Sequence, residues 1–249
     1  MEFILTESEF NEDNTAWNGN RFLMGNGYFG IRGTLEEYTK KQMCAVNMAG
    51  IYDKMGNSWR ESVNAPNPLY TYIKVNGKIY ALPDEKPKFH QQELDFRYGI
   101  HSRVTHWQTE HGNITVVCER FASIARQHNI AMKYTFSVDF DCEAEIITGI
   151  DGDVWDINGP HFVKMKIGSK DGADYVTGMT GEKNISVTVK EYIRTDFQAE
   201  QTNQNTDKSI FRHIKFSAKA EKEYIIEKIA EITTSVDDFG TSGSIDELN

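Results

Sequence analysis

The sequence predicts an all-β fold: one large antiparallel β-sandwich preceded by an irregular N-terminal segment. Three observations carry this prediction. From Leu69 onward apolar and polar residues alternate with a period of two, as half-buried strands require. Clusters of Gly, Asn and Asp interrupt the alternation at short intervals. No amphipathic helical stretch lies between the strand-like runs, so the crossovers of a parallel sheet have nothing to be built from.

Taken in order, residues 1–68 read as irregular, rich in Gly, Asn and Pro, with "NAPNP" at 64–68 marking long loops. "LYTYIKVNGKIYAL" follows as a hairpin, because Asn76-Gly77 tolerates the positive φ angles of a type I′ turn. Strand candidates then run through 94–107, 113–125, 129–140, 143–150, 161–169, 184–195, 209–220 and 223–235. All are rich in β-branched and aromatic residues. Within "ERFAS" (119–123) the expectation is Phe121 inward and Arg120 free for an ion pair. The sandwich is expected to span 1–236. Residues 237–249, polar and small, read as the start of a linker.

Composition narrows the function classes. A formal net charge of −10 leaves no basic surplus to neutralise phosphates, which argues against a nucleic-acid partner. No apolar run approaches membrane-spanning length, and the N-terminus turns acidic too early for a signal peptide. Cys44, Cys118 and Cys142 are widely spaced without C-x-x-C, so neither zinc nor a disulfide framework is expected. A cytoplasmic location with reduced thiols follows as the expectation. The sequons at Asn113 and Asn184 then carry no weight.

Three features invite a chemical reading. Gly25, Gly27 and Gly30 fall at G-x-G-x-x-G spacing. A dinucleotide loop needs an apolar strand before the glycines and a helix after them, and neither is present. Tight turns and close packing around Phe22, Tyr28 and Phe29 are the expected use. His101, His106 and His111 recur every five residues, but an odd spacing on a strand alternates faces and prevents convergence on a metal. No serine or cysteine shows a nucleophile motif. The acid-rich "DGDVWDINGPHF" at 151–162 gathers Asp151, Asp153 and Asp156 around Trp155, with Asn158 and His161 near. Carboxylates and an indole suit sugar hydroxyls and a pyranose face. A calcium loop and a solvated turn closed by Asx bonds are the other readings. The twelve-residue calcium pattern fails, because Phe162 occupies its final acid position.

Several segments together resemble the N-terminal domain of glycoside hydrolase family 65. They are "NRFLMGNGYFGIRGTLEE" (20–37), "MAGIYD" (48–53), "NAPNPLYTYIKVNGKIY" (64–80), "ERFAS", "DGDVWDINGPHF" and "ITTSVD" (232–237). The family consists mainly of inverting disaccharide phosphorylases, with some hydrolases, so the resemblance implies one or the other for the larger enzyme. The resemblance implies a supersandwich of the galactose-mutarotase kind, joined through a helical linker to an (α/α)6 barrel. The barrel carries the catalytic glutamate and the phosphate loop. It therefore implies no catalytic residue and no cofactor in this chain, inorganic phosphate being a co-substrate of the larger enzyme. Its implied partners are that barrel, a disaccharide bound through it, and a second subunit in a homodimer. Tyr28, Arg32, Trp155, Asp156 and His161 are the candidate substrate contacts, with no metal ligand among them. An autonomous carbohydrate-binding module is the alternative, and a mutarotase-like epimerase a third, lacking a matching His and carboxylate.

Overall fold

The structure is a computed structural model that describes residues 3–237. Apart from Asp237, the linker-like segment lies outside the described residues.

The N-terminal region begins with β1 (Ile4–Glu7), a short 3-10 turn and helix α1 (Thr15–Arg21). It continues through β2 (Met24–Gly25), β3 (Phe29–Ile31), β4 (Val46–Asp53) and β5 (Glu61–Asn64). Next come β6 (Thr71–Val75), β7 (Lys78–Tyr80), β8 (Phe89–Asp95), β9 (Ile100–Gln108), β10 (Asn113–Ala122) and β11 (Asn129–Val138). The last third holds β12 (Cys142–Ile150), β13 (Phe162–Lys170), β14 (Ala173–Thr180), β15 (Ser186–Thr195), β16 (Glu200–Asn205), β17 (Ile210–Ala218) and β18 (Glu223–Thr234).

These strands make three antiparallel sheets. Nine strands run in the order β1-β8-β9-β10-β11-β18-β15-β14-β13, five in the order β16-β17-β12-β6-β7, and four in the order β2-β3-β4-β5. One continuous apolar core draws on all three, with Ile114, Tyr134 and Phe136 from the first, Ile73 and Ile146 from the second, and Phe29 and Met48 from the third. The all-β sandwich predicted from alternation is therefore present, since each large sheet buries every second side chain.

The N-terminal region departs from expectation. Residues 24–64 are not loop throughout but contain the four-stranded sheet, whose strands are too short or too interrupted to show alternation. "ERFAS" is strand, but its facing is reversed. The parity set by Ile114 and Val116 carries Arg120 inward, 1% exposed, and turns Phe121 outward, 43% exposed. The hairpin turn matches, with Asn76 at φ 49° and Gly77 at φ 81°. Gly27, at φ 90°, is the one member of the glycine motif that needs a left-handed backbone, in the turn between β2 and β3. The three histidines do not converge: His101 is hydrogen-bonded to Gln92, His106 to Thr115, and His111 lies in the β9–β10 turn beside Glu110. Cys44, Cys118 and Cys142 are buried and free. No helix among the described residues is long and apolar enough to cross a membrane.

Candidate functional site

The acid-rich loop leaves β12 at Ile150 and enters β13 at Phe162. Its first residue is tied down by a two-way backbone bridge, in which Asn67 N–H donates to Asp151 O (2.7 Å) and Asp151 N–H to Asn67 O (2.9 Å). The Asp151 carboxylate accepts from Ser209 Oγ (2.8 Å) and from the Asp153 N–H (3.0 Å). Burial pushes its pKa up. Asp153 bridges two lysines, Lys40 Nζ at 2.5 Å and Lys208 Nζ at 2.8 Å. Burial alone would raise the Asp153 carboxyl, but the two ammonium groups outweigh it and hold it below its ordinary value. The Asn64 side-chain amide donates to Trp155 O.

The second half of the loop folds over a buried imidazole. His161 is fully buried, its Nδ1 3.1 Å from Asp53 Oδ2 at the end of β4 and its Nε2 2.6 Å from Glu61 Oε1 at the start of β5. Glu61 Oε1 also accepts the N–H groups of Ile157 (3.1 Å) and Asn158 (2.9 Å), and Oε2 accepts from Asn158 Nδ2 (3.2 Å). Asp53 accepts the Glu182 N–H at 2.8 Å through its other oxygen. A β-carbon on Gly159 would overlap the Asp156 carboxyl, so glycine there lets the chain close over that side chain. Burial raises the pKa of Asp156.

Outside this scaffold lies an open hollow of about 350 Å³, within the size range of small-molecule sites. Trp155, Asp156, Phe162 and Met165 line it, with Lys40 and Lys208 at its charged end. The arrangement offers a half-buried indole face beside a carboxylate and two ammonium groups, the combination that suits a polyhydroxylated ring. Glu61, Asp156 and His161 also bring potential ligand atoms within 4.8 Å of one another. Yet both nitrogens of His161 already face carboxylates, and Glu61 Oε1 already has three donors. The cation this arrangement fits is a proton.

Of the five candidates from sequence, Trp155 and Asp156 line the hollow, and His161 is fully buried and not part of its lining. Tyr28 and Arg32 are engaged elsewhere. The Tyr28 hydroxyl donates to Asp237 Oδ2 (2.6 Å), and its ring meets His128 edge-on with centroids 4.2 Å apart. Burial, then the neighbouring carboxylate, pushes the phenol pKa far up. Arg32 donates to Ala16 O (2.7 Å), and burial lowers its pKa. Sequence reasoning missed Glu61, Asn64, Lys40 and Lys208. Asp53 entered only as the last residue of "MAGIYD", which was quoted above together with "NAPNP". These two segments form the wall against which the loop is built.

A family model described as "Glycosyl hydrolase family 65, N-terminal domain" matches residues 5–248. The nigerose phosphorylase of Lachnoclostridium phytofermentans is 39% identical, over 95% of this chain and 34% of its own length. The 1,2-alpha-glucosylglycerol phosphorylase of Bacillus selenitireducens is 36% identical, over 88% of this chain and 29% of its own. A solved structure described as a kojibiose phosphorylase, from the human microbiome, superposes with a TM-score of 0.83 at 20% identity, over 97% of this chain and 33% of that one, a likeness of fold. The chain thus spans about a third of the length of these relatives.

Proposed function

Because the chain belongs to glycosyl hydrolase family 65 as its N-terminal domain, we propose that it is the non-catalytic sandwich of an inverting disaccharide phosphorylase acting on α-glucosides. The single observation behind this reading is the match over residues 5–248 together with the share of the relatives left uncovered, roughly two thirds, where a catalytic barrel has room to lie. In such an enzyme a phosphate oxygen attacks the anomeric carbon from the face opposite the glycosidic bond. That bond breaks, and its oxygen leaves with the proton of a glutamic acid. The products are a sugar 1-phosphate of inverted configuration and the free second sugar. In this reading the glutamic acid and the loop that holds the phosphate belong to the barrel.

This domain supplies shape rather than chemistry. The 151–162 loop presents Trp155 and Asp156 on a pre-built hollow, and placing that hollow against the barrel's mouth adds an aromatic wall to the sugar site. Holding a sugar in one orientation before attack is worth much of the barrier in a reaction of this kind. Tyr28 and Arg32 hold the sandwich together, and a homodimer contact is a further part for its outer surface.

The test is direct. The 249-residue chain, incubated with inorganic phosphate and in turn with nigerose, kojibiose, trehalose and maltose, is expected to release no glucose 1-phosphate. Release of glucose 1-phosphate by the purified chain overturns the proposal.

A further inference from the structure

His161 is held between two carboxylates, and that geometry fixes its charge. A neutral imidazole carries one N–H, so one of its nitrogens would turn a lone pair toward a carboxylate oxygen. Only the imidazolium donates to both Asp53 and Glu61. We propose that His161 is the positioning residue of the 151–161 loop: its imidazolium locks the segment carrying Trp155 and Asp156, and loss of the proton unlocks it. The proposal rests on the preceding reading only for what the loop does to a sugar.

The surrounding charges favour the protonated form. Asp53 faces the ring from β4, Glu61 from β5 and Asp156 from the loop itself. Arg60 and Glu182 neutralise each other in an ion pair beside Asp53, and Glu182 also gives its N–H to Asp53. Lys54 and Lys183 lie close enough to act on Glu182. Lys208 acts on Asp156 from the far side but is itself paired with Asp153. Burial by itself lowers the pKa of the ring, but the hydrogen bonds it donates to Glu61 and Asp53 outweigh it and set the pKa above the ordinary 6.5. Glu61 moves the opposite way: burial would raise it, and the Asn158 N–H and His161 hold it down. The sign follows. A histidine raised in the folded state gives its full stabilisation below about pH 6.5 and loses it as pH climbs through the raised value.

Deprotonation reaches Trp155 through Glu61. In the tautomer whose one N–H sits on Nδ1, the bare Nε2 at 2.6 Å would repel Oε1, the same oxygen that fixes Ile157 and Asn158. Glu61 must then shift, and those two amides with it.

The experiment is an NMR titration of the ¹⁵N-labelled chain without sugar. The His161 ring nitrogens are expected to titrate with a midpoint above 6.5, both protonated below it. The Trp155 indole N–H, assigned through Trp155→Phe, is expected to shift with the same midpoint. Asp53→Asn should move both midpoints to lower pH together, and His161→Gln should abolish the Trp155 transition. A neutral His161 ring at pH 6, or an indole that ignores the imidazole titration in the wild-type chain, overturns the proposal. Neither result bears on the phosphorolysis assay, so the two readings fail separately.

Discussion

Arg103 reaches from β9 into the core and meets two acids, Glu36 through Nε (2.8 Å) and Glu37 through Nη2 (2.5 Å). Arg120 meets Glu36 from β10 at 2.7 Å. All four side chains are essentially inaccessible to water, and their formal charges cancel. Such a cluster is costly to open, because removing one partner strands the other's charge in a low dielectric. Arg103→Met is therefore expected to lower unfolding stability by about 3–5 kcal/mol, read from the urea midpoint at constant slope. A loss under about 1 kcal/mol would show that the acids take up protons at little cost. The two acids also differ. Burial would raise Glu36, but Arg120 and Arg103 hold it to about 2, whereas burial prevails at Glu37 and raises it. The share due to Glu36 is thus present above about pH 4.5 and lost as pH falls toward its folded value. Sequence showed Arg120 as a candidate ion-pair partner and held Glu36 and Glu37 only as the end of the quoted segment 20–37. It could not show that they pair with each other, since 84 residues separate Arg120 from Glu36.

Elements were legible where a strand sets apolar side chains on one face against polar ones on a wet face. β11 alternates along its length and β12 over its first four residues, and their boundaries lie close to those the pattern suggests. β14 was invisible because almost every residue of "ADYVTGMT" is buried or half-buried on both faces, leaving no contrast. β16, "EQTNQN", failed for the opposite reason: all six residues are exposed, and it is seen only through its register with β17. Its polarity has a use at the rim of the five-stranded sheet, where an apolar edge would recruit a foreign strand. The β6–β7 turn gives the element-scale prediction. Gly77 sits at φ 81° with open space beside its α-carbon, so Gly77→Val costs only backbone strain, about 1–2 kcal/mol by thermal or urea unfolding. A neutral result would mean that the turn relaxes to another type without disturbing the ladder.

On the scale of the molecule, the segments that resembled family 65 one by one pair off in space. "NRFLMGNGYFGIRGTLEE" meets "ERFAS" through Glu36 and Arg120, and meets "ITTSVD" through Tyr28 and Asp237. "MAGIYD" and "NAPNP" meet the 151–162 loop through Asp53, Asn64 and Asn67. The candidate site was half legible for that reason. Its exposed loop could be picked out by composition, while the buried acids behind it depend on contacts that span about a hundred positions.

The strand order has a temporal consequence. β18, the last strand in sequence among the described residues, occupies an interior position of the nine-stranded sheet, between β11 and β15. Until residues 223–234 leave the ribosome, five strands on one side and three on the other have no common partner. Synthesis must therefore pass residue 234 before the core closes, and the waiting halves expose two long edges to chaperones or to each other. Nascent chains stalled with Lys222 just outside the exit tunnel should be protease-sensitive, and chains stalled with Thr234 outside it resistant. Equal resistance at both lengths would mean that the two halves are stable without the strand that joins them.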